Sequence, residues 1–373
     1  MKHLIVCCDG TWQTLRQPEP TNIAKIAMHL TSLNTRDGGQ QVVYYDSGVG
    51  AAFEADDANP FDGIGDAVKK LLGGAIGDGL EEKIFDAYRF LAFNYVEGDR
   101  IYIFGFSRGA FTARSLCGLI YNSGLVSRDK VSLIDEAYEL YRADDVKPWS
   151  ADAVKFRNTN GARRAIDFLG CFDTVGMNGM PNLFDRLPLD RFFNREHGFH
   201  DCKLNHTIKY ARHACALDEN RKLFPITLMQ PSDKAGPEQV DEMWFPGHHG
   251  GIGGGEAEGR AFADTALLCM IQGAERAGLT FSDAVFEQAE PDPLAEMIKP
   301  EGMRRAGERT RKLPKPYERV QLHQGVRARY YQRRPKWRPD ALKPLFKTLD
   351  QGEADWGEAG QSPDLREDTS DSA

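Results

Sequence analysis

Residues 99–119 read DRIYIFGFSRGAFTARSLCGL, and no other stretch restricts the fold as strongly. Residues 101–104 are β-branched or aromatic and favour an extended strand, while 108–119 bring Ala110, Phe111, Leu116 and Leu119 round at helical spacing. Ser107 therefore falls on the turn between a strand and a helix. A turn this tight leaves almost no room for side chains two positions before and after the serine, where Gly105 and Gly109 stand. The hydroxyl of such a serine points out of the sheet edge. The first N–H groups of the following helix, beginning with that of Arg108, aim at the place where an oxyanion would form. G-x-S-x-G occurs by chance in many chains; the strand before it and the helix after it are what make it informative here.

The rest of the chain supplies a parallel sheet for that turn. Residues 3–8 form a short apolar run stopped by Asp9, Gly10 and Thr11, the pattern of a buried strand leading into a polar loop. Thr21 caps a helix over 22–33, and 41–45 make a second strand ending in DSGVG. An amphipathic helix over 78–95 leads through EGD into the strand before Ser107, completing a strand–helix–strand unit. Residues 131–142 read as a helix, 151–161 as a polar insertion, and 164–172 as a strand tipped by Asp173. For 206–223 a helix is the first expectation and a strand over 211–217 the alternative, because periodicity over so short a span is ambiguous. Residues 240–245 are a strand closing at Pro246, Gly247, His248 and His249, and 260–277 a helix packed beside it.

The expected fold is α/β-hydrolase-like, a mostly parallel central sheet with helices on both faces. It occupies one domain over 1–350, with insertions at about 51–77 and 177–200. The first insertion, rich in Gly, Ala and Asp, with a short helix near 67–72, reads as a lid; the second, with Pro181, Pro188 and several aromatics, as a pocket wall. Residues 351–373 are acidic, poor in large apolar side chains and expected to be disordered.

Composition excludes several other classes. A net charge of −8 argues against a nucleic-acid partner. No apolar run approaches the roughly 20 residues of a membrane span, and the apolar N-terminal run is too short for a signal peptide. The expectation is a cytoplasmic protein, with export by a signal-less route left open. The seven cysteines fit buried thiols in a reducing compartment, Cys7 and Cys8 alternating to opposite faces of their strand. No Cys/His spacing suggests a metal, and no cofactor is called for. Residues 304–338 are strongly basic through Arg304, Arg305, Arg309, Arg311, Lys312, Lys315, Arg333, Arg334, Lys336 and Arg338. A solvated face or a partner for the acidic tail accounts for them, peripheral contact with lipid headgroups being the alternative.

Four apolar runs end at Asp9, Ser107, Asp173 and His249, and in an open parallel sheet such ends share the edge where ligands bind. Serine, then acid, then histidine is the chain order of the α/β-hydrolase triad. The chemistry requires this set: an imidazole must take the serine's proton, and a carboxylate must fix the imidazole's tautomer and stabilise its charge. Asp167 is an alternative acid and His248 an alternative base. Gly10 and Thr11 are placed to join Arg108 in an oxyanion hole, with Asp9 bracing their loop. The substrate this implies is a small-molecule or lipid ester.

Seven ordered pieces carry a family resemblance: CDGTW, PTNIAKI, YYDSGVG, GDRIYIFGFSRGAFTARSL, FLGCFDTVG, ARHACALDENRKLF and WFPGHHGGIGGG. Over roughly residues 1–345 the chain resembles a bacterial and fungal family of uncharacterised α/β-hydrolase domains that includes catalytic domains of type VI secretion phospholipase effectors. The resemblance implies Ser107 as nucleophile, Asp173 as acid, His249 as base, and ester hydrolysis. It departs at Gly251, where the family's last motif carries an acid, and His248 is an added imidazole. Two rival readings differ in class. One is a binding or regulatory protein that keeps the fold without turnover. The other is a phosphatase using Asp9, whose chemistry needs an aspartate where Cys7 stands.

Overall fold

A computed structural model describes residues 1–10, 13, 17–32, 38–48, 75–143, 145–175, 203–222, 224–231, 240–298, 308–333 and 336–352. Of the expected lid over 51–77, residues 51–74 lie outside these and 75–77 belong to a helix; the pocket wall over 177–200, residues 353–373 of the acidic tail and Thr11 lie outside them too. The elements that position the site run β1 (Lys2–Cys8), α1 (Asn22–His29), β2 (Gln40–Asp46), α2 (Ala75–Asn94), β3 (Arg100–Phe106), α3 (Arg108–Ser123), α4 (Ile134–Arg142), α5 (Ala151–Asn160), β4 (Phe168–Phe172), β5 (Ala211–Ala216), β6 (Val240–Phe245), α6 (His249–Gly253), α7 (Arg260–Arg276), β7 (Gln321–Leu322) and α8 (Gln324–Gln332). The seven strands form one sheet in the order β7-β6-β5-β4-β3-β1-β2, and every neighbouring pair is parallel. The fold is therefore α/β with a parallel sheet, as expected. The order reverses between β1 and β3, so connections leave that point in opposite directions, the place where open α/β sheets bind their ligands.

Both faces of the sheet are covered. Leu4, Val6, Cys8, Ile101, Ile103, Leu169 and Cys171 pack against α2, α3, α4 and α5. Ile5, Cys7, Phe104, Phe168, Phe172 and Phe245 face α1 and α7. Adjacent strand residues thus serve opposite layers, which is why these strands read as unbroken apolar runs. The paired Cys7 and Cys8 divide between the two layers. All six described cysteines are buried free thiols. A third cluster, with Trp244, Leu313, Leu322, Tyr330, Trp337, Leu342 and Leu349, closes the sheet at β6 and β7. No helix among the described residues is long and apolar enough to cross a membrane.

Three expectations need correction. Residues 151–160, expected as a polar insertion, are α5, whose Ala153 and Phe156 are buried. Residues 211–216 are a strand and not a helix. Arg212 on that strand is 1% exposed, donating to the carbonyl of Cys269 and, at 2.7 Å, to Asp241, so its charge is compensated in the interior. The basic stretch is not simply a solvated face: Arg311 and Arg329 are buried, Arg329 donating to the carbonyls of Pro293 and Ala295.

Candidate active site

The ladder continues past the ends of β3, β4 and β5 and sets the site in register. Phe106 lies opposite Phe172, so Ser107 and Asp173 follow on adjacent strands. The N–H of Ser107 donates to the carbonyl of Phe172 at 3.0 Å, and that of Asp173 to the carbonyl of Ala214 at 2.8 Å. Ser107 is held at φ 56° and ψ −121°, and Asp173 at φ 38°. Both are costly conformations for residues with a Cβ, and they sit where chain reversal must present a side chain. The glycines around Ser107 have steric causes. A Cβ on Gly105 would lie 2.4 Å from the carbonyl oxygen of Gly109, and one on Gly109 would lie 2.2 Å from that of Cys8. The elbow closes only because α3 rests directly on the backbone of β1.

His249 opens α6, just after β6, and reaches back across β5. Its Nε2 is 2.8 Å from Ser107 Oγ, and its Nδ1 is 2.6 Å from Asp173 Oδ2. Ser107, Asp173 and His249 are all buried, and the imidazole is bracketed by the Phe106 and Phe224 rings at centroid separations of 4.7 and 4.8 Å. Burial lowers the imidazole's pKa, outweighing the opposing hydrogen bond and charge of Asp173, which favours the neutral ring that can accept a proton. Asp173 is stabilised as an anion. Burial would raise its pKa, but the Arg311 charge and hydrogen bonds from His249 and Arg311 take it below the usual carboxylate range.

The competing candidates fall elsewhere. Asp167 precedes β4 at the opposite edge of the sheet, accepting from Arg100 at 3.0 Å and Lys209 at 2.7 Å. It helps line a cavity of about 470 Å³ there, remote from Ser107. His248 caps α6 through Nδ1, which accepts from the Gly251 N–H at 3.4 Å, and its Nε2 faces Glu256 at 3.6 Å. Burial takes its pKa down to about 4. At Gly251 a Cβ would meet nothing closer than 3.8 Å, so the missing acid is not a steric exclusion. Asp9 accepts from Thr21 Oγ1 at 2.6 Å, Tyr45 Oη at 2.7 Å and the Gly10 N–H at 2.7 Å, as a loop brace does. That last bond engages the Gly10 N–H, which must exchange partners before it can serve an oxyanion. Arg108 is the first residue of α3, immediately after Ser107.

Two further residues complete the setting and escaped the sequence reading. Glu219 accepts the backbone N–H of His249 at 3.1 Å and is clasped by Arg221 at 2.9 and 2.7 Å. Burial opposes its ionisation, yet the Arg221 hydrogen bonds and charge bring its pKa down to about 2. Arg311 donates to both oxygens of Asp173. The adjacency D-E-N-R after β5 hinted at the first pair; no local pattern marks Arg311. His213, Cys215 and Glu242 bring potential metal-ligating atoms within 4.8 Å of one another, on alternate positions of β5 and beside it on β6. Both His213 nitrogens are already engaged, Nε2 by Thr174 at 3.1 Å and Nδ1 by Glu242 at 3.0 Å.

The sequence profile described as "T6SS, Phospholipase effector Tle1-like, catalytic domain" matches residues 2–273. An uncharacterized protein of Saccharomyces cerevisiae is 31% identical over 247 residues, 62% of this chain and 33% of that protein. An uncharacterized protein from Pseudomonas aeruginosa with a crystal structure aligns over 79% of this chain and 49% of its own, at 20% identity and a TM-score of 0.43. The Tle1 effector bound to the VgrG spike of the type 6 secretion system aligns over 68% and 51%, at 18% identity and a TM-score of 0.37. The chain thus spans about a third of the length of the curated relative and about half of each solved chain. With the profile covering the sheet from β1 through α6 and most of α7, the chain belongs to the family of Tle1-like T6SS phospholipase effector catalytic domains.

Proposed function

We propose that the protein is a serine hydrolase that cleaves carboxylic esters, lipid and phospholipid acyl esters among them, through an acyl-enzyme on Ser107. The observation that carries this reading is the unbroken hydrogen-bonded line from Ser107 Oγ through His249 to Asp173. Ser107 Oγ attacks the ester carbonyl as its proton passes to His249 Nε2, while Nδ1–H stays on Asp173 and the resulting imidazolium is stabilised by that carboxylate. The collapsing tetrahedral intermediate expels the alkoxide, which takes the proton from Nε2. Water then attacks the acyl-enzyme by the same relay, releasing the acid and restoring Ser107. The Arg108 N–H at the start of α3 is the first oxyanion donor, joined by that of Gly10 once it is released from Asp9.

Family membership supports a lipid ester as substrate. Hydrolysis of p-nitrophenyl esters of increasing acyl length, run beside acyl release from phospholipid vesicles, tests the reading. The expected result is turnover that Ser107→Ala and Asp173→Asn each reduce by about 10⁴-fold or more. Turnover unaffected by Ser107→Ala contradicts it.

A further inference from the structure

Arg311 lies beyond the residues that match the family, yet it touches the proposed triad directly. Arg311 is 6% exposed, and its guanidinium forks onto Asp173, Nη2 lying 2.8 Å from Oδ2 and Nη1 reaching Oδ1. The same nitrogens donate to the carbonyls of Ala216 at 2.9 Å and Phe224 at 3.0 Å, so four acceptors fix the fork. The chain on either side is anchored too. Arg309 donates its N–H to the carbonyl of Asn220, the backbone of Glu308 pairs antiparallel with that of Arg221, and Leu313 packs in the cluster with Trp244 and Trp337. With the Ala216 N–H at 2.8 Å, Asp173 Oδ1 is also held, which leaves Oδ2 aimed at His249.

The fork has an electrostatic consequence as well as a geometric one. A carboxylate shared with a guanidinium stabilises an imidazolium less than a free one does, so the imidazole loses its proton at lower pH. The other charged or titratable groups facing His249 are Glu219 and Arg221, which are paired with each other, and His248. Building on the proposed triad, we propose that Arg311 is a positioning residue that locks Asp173 and lowers the pH at which His249 becomes a competent base, making the segment around it part of the active site.

The test is an imidazole ¹⁵N NMR titration of His249 in the full-length protein, run beside the pH profile of kcat/KM for p-nitrophenyl acetate. Wild type, Arg311→Lys and Arg311→Met are compared, with folding checked by circular dichroism. Arg311→Met is expected to raise the His249 pKa by about one to two units and to move the acid limb of the profile upward equally. Arg311→Lys, which keeps the charge, is expected to stay near wild type in pKa while losing kcat through the missing fork. Should Arg311→Met not fold, Arg311→Gln retains donors without charge and carries the same expected rise. A folded, uncharged variant whose His249 titrates as in wild type overturns the proposal, as does an equal shift in the Lys and Met variants. The titration needs no turnover. A chain that shows the shift without hydrolysing esters would contradict the proposed function and not the role of Arg311.

Discussion

Ser107, Gly105 and Gly109 impose their geometry on one another. A methyl on Gly109 meets the carbonyl oxygens of Cys8 and Asp9 at 2.2 and 2.4 Å, and neither can move without displacing β1. Gly109→Ala is therefore expected to cost at least about 2 kcal/mol in urea unfolding and to silence the site, since relief requires α3 to lift away from Ser107. The adjacent imidazoles should separate cleanly. His249→Asn removes the proposed base and is expected to slow Ser107 acylation by about 10⁴-fold. His248→Asn keeps a competent N-cap for α6 and is expected to acylate at close to the wild-type rate, as followed by burst kinetics. Glu219 supplies a pH prediction. Its folded pKa of about 2 lies below the unfolded value of 4.5, so its stabilisation is fully present above about pH 4.5 and is lost as pH falls through about 2. The contribution is on the order of 3 kcal/mol, and Glu219→Gln should flatten that part of the acid-unfolding curve.

At the scale of elements, legibility followed how local the cause was. β1, β3 and β4 are buried on both faces between helical layers, so each reads as an apolar run with a polar stop, whereas β6 is apolar and buried only over Met243, Trp244 and Phe245; Ser107, Asp173 and His249 follow β3, β4 and β6. β5 did not read this way, because ARHACA places Arg212 and His213 in its middle. Their burial depends on Asp241, Cys269, Glu242 and Thr174, which no window around residue 212 contains. α5 hid for a related reason: its exposed face is polar, and only Ala153, Phe156 and Arg157 turn inward. β7 is two residues long and forms against Met243 and Trp244. Arg311 was lost among the thirteen Lys and Arg residues of 304–338, whose spacing suggests a surface, and what distinguishes it is a carboxylate 138 positions earlier.

At the scale of the molecule, the switch in strand order between β1 and β3 puts the Asp9 loop and Ser107 side by side, with Asp173, Arg311 and His249 arriving from the other wing of the sheet. The third core cluster links that wing to the C-terminal chain. Trp337, 7% exposed, donates from its indole to Asp218 at 2.9 Å beside the loop that carries Glu219. Trp337→Ala is expected to destabilise the protein by about 3–5 kcal/mol in denaturant unfolding, with Ser107 reactivity reduced only as far as that loop loosens. The central claim is that these distant side chains make Ser107 a nucleophile. It is tested most directly by intact-mass analysis and peptide mapping after exposure to a fluorophosphonate. The account predicts one adduct, on Ser107, absent in Ser107→Ala and strongly slowed in His249→Asn; a folded protein that stays unlabelled, or labels equally fast without His249, would contradict it.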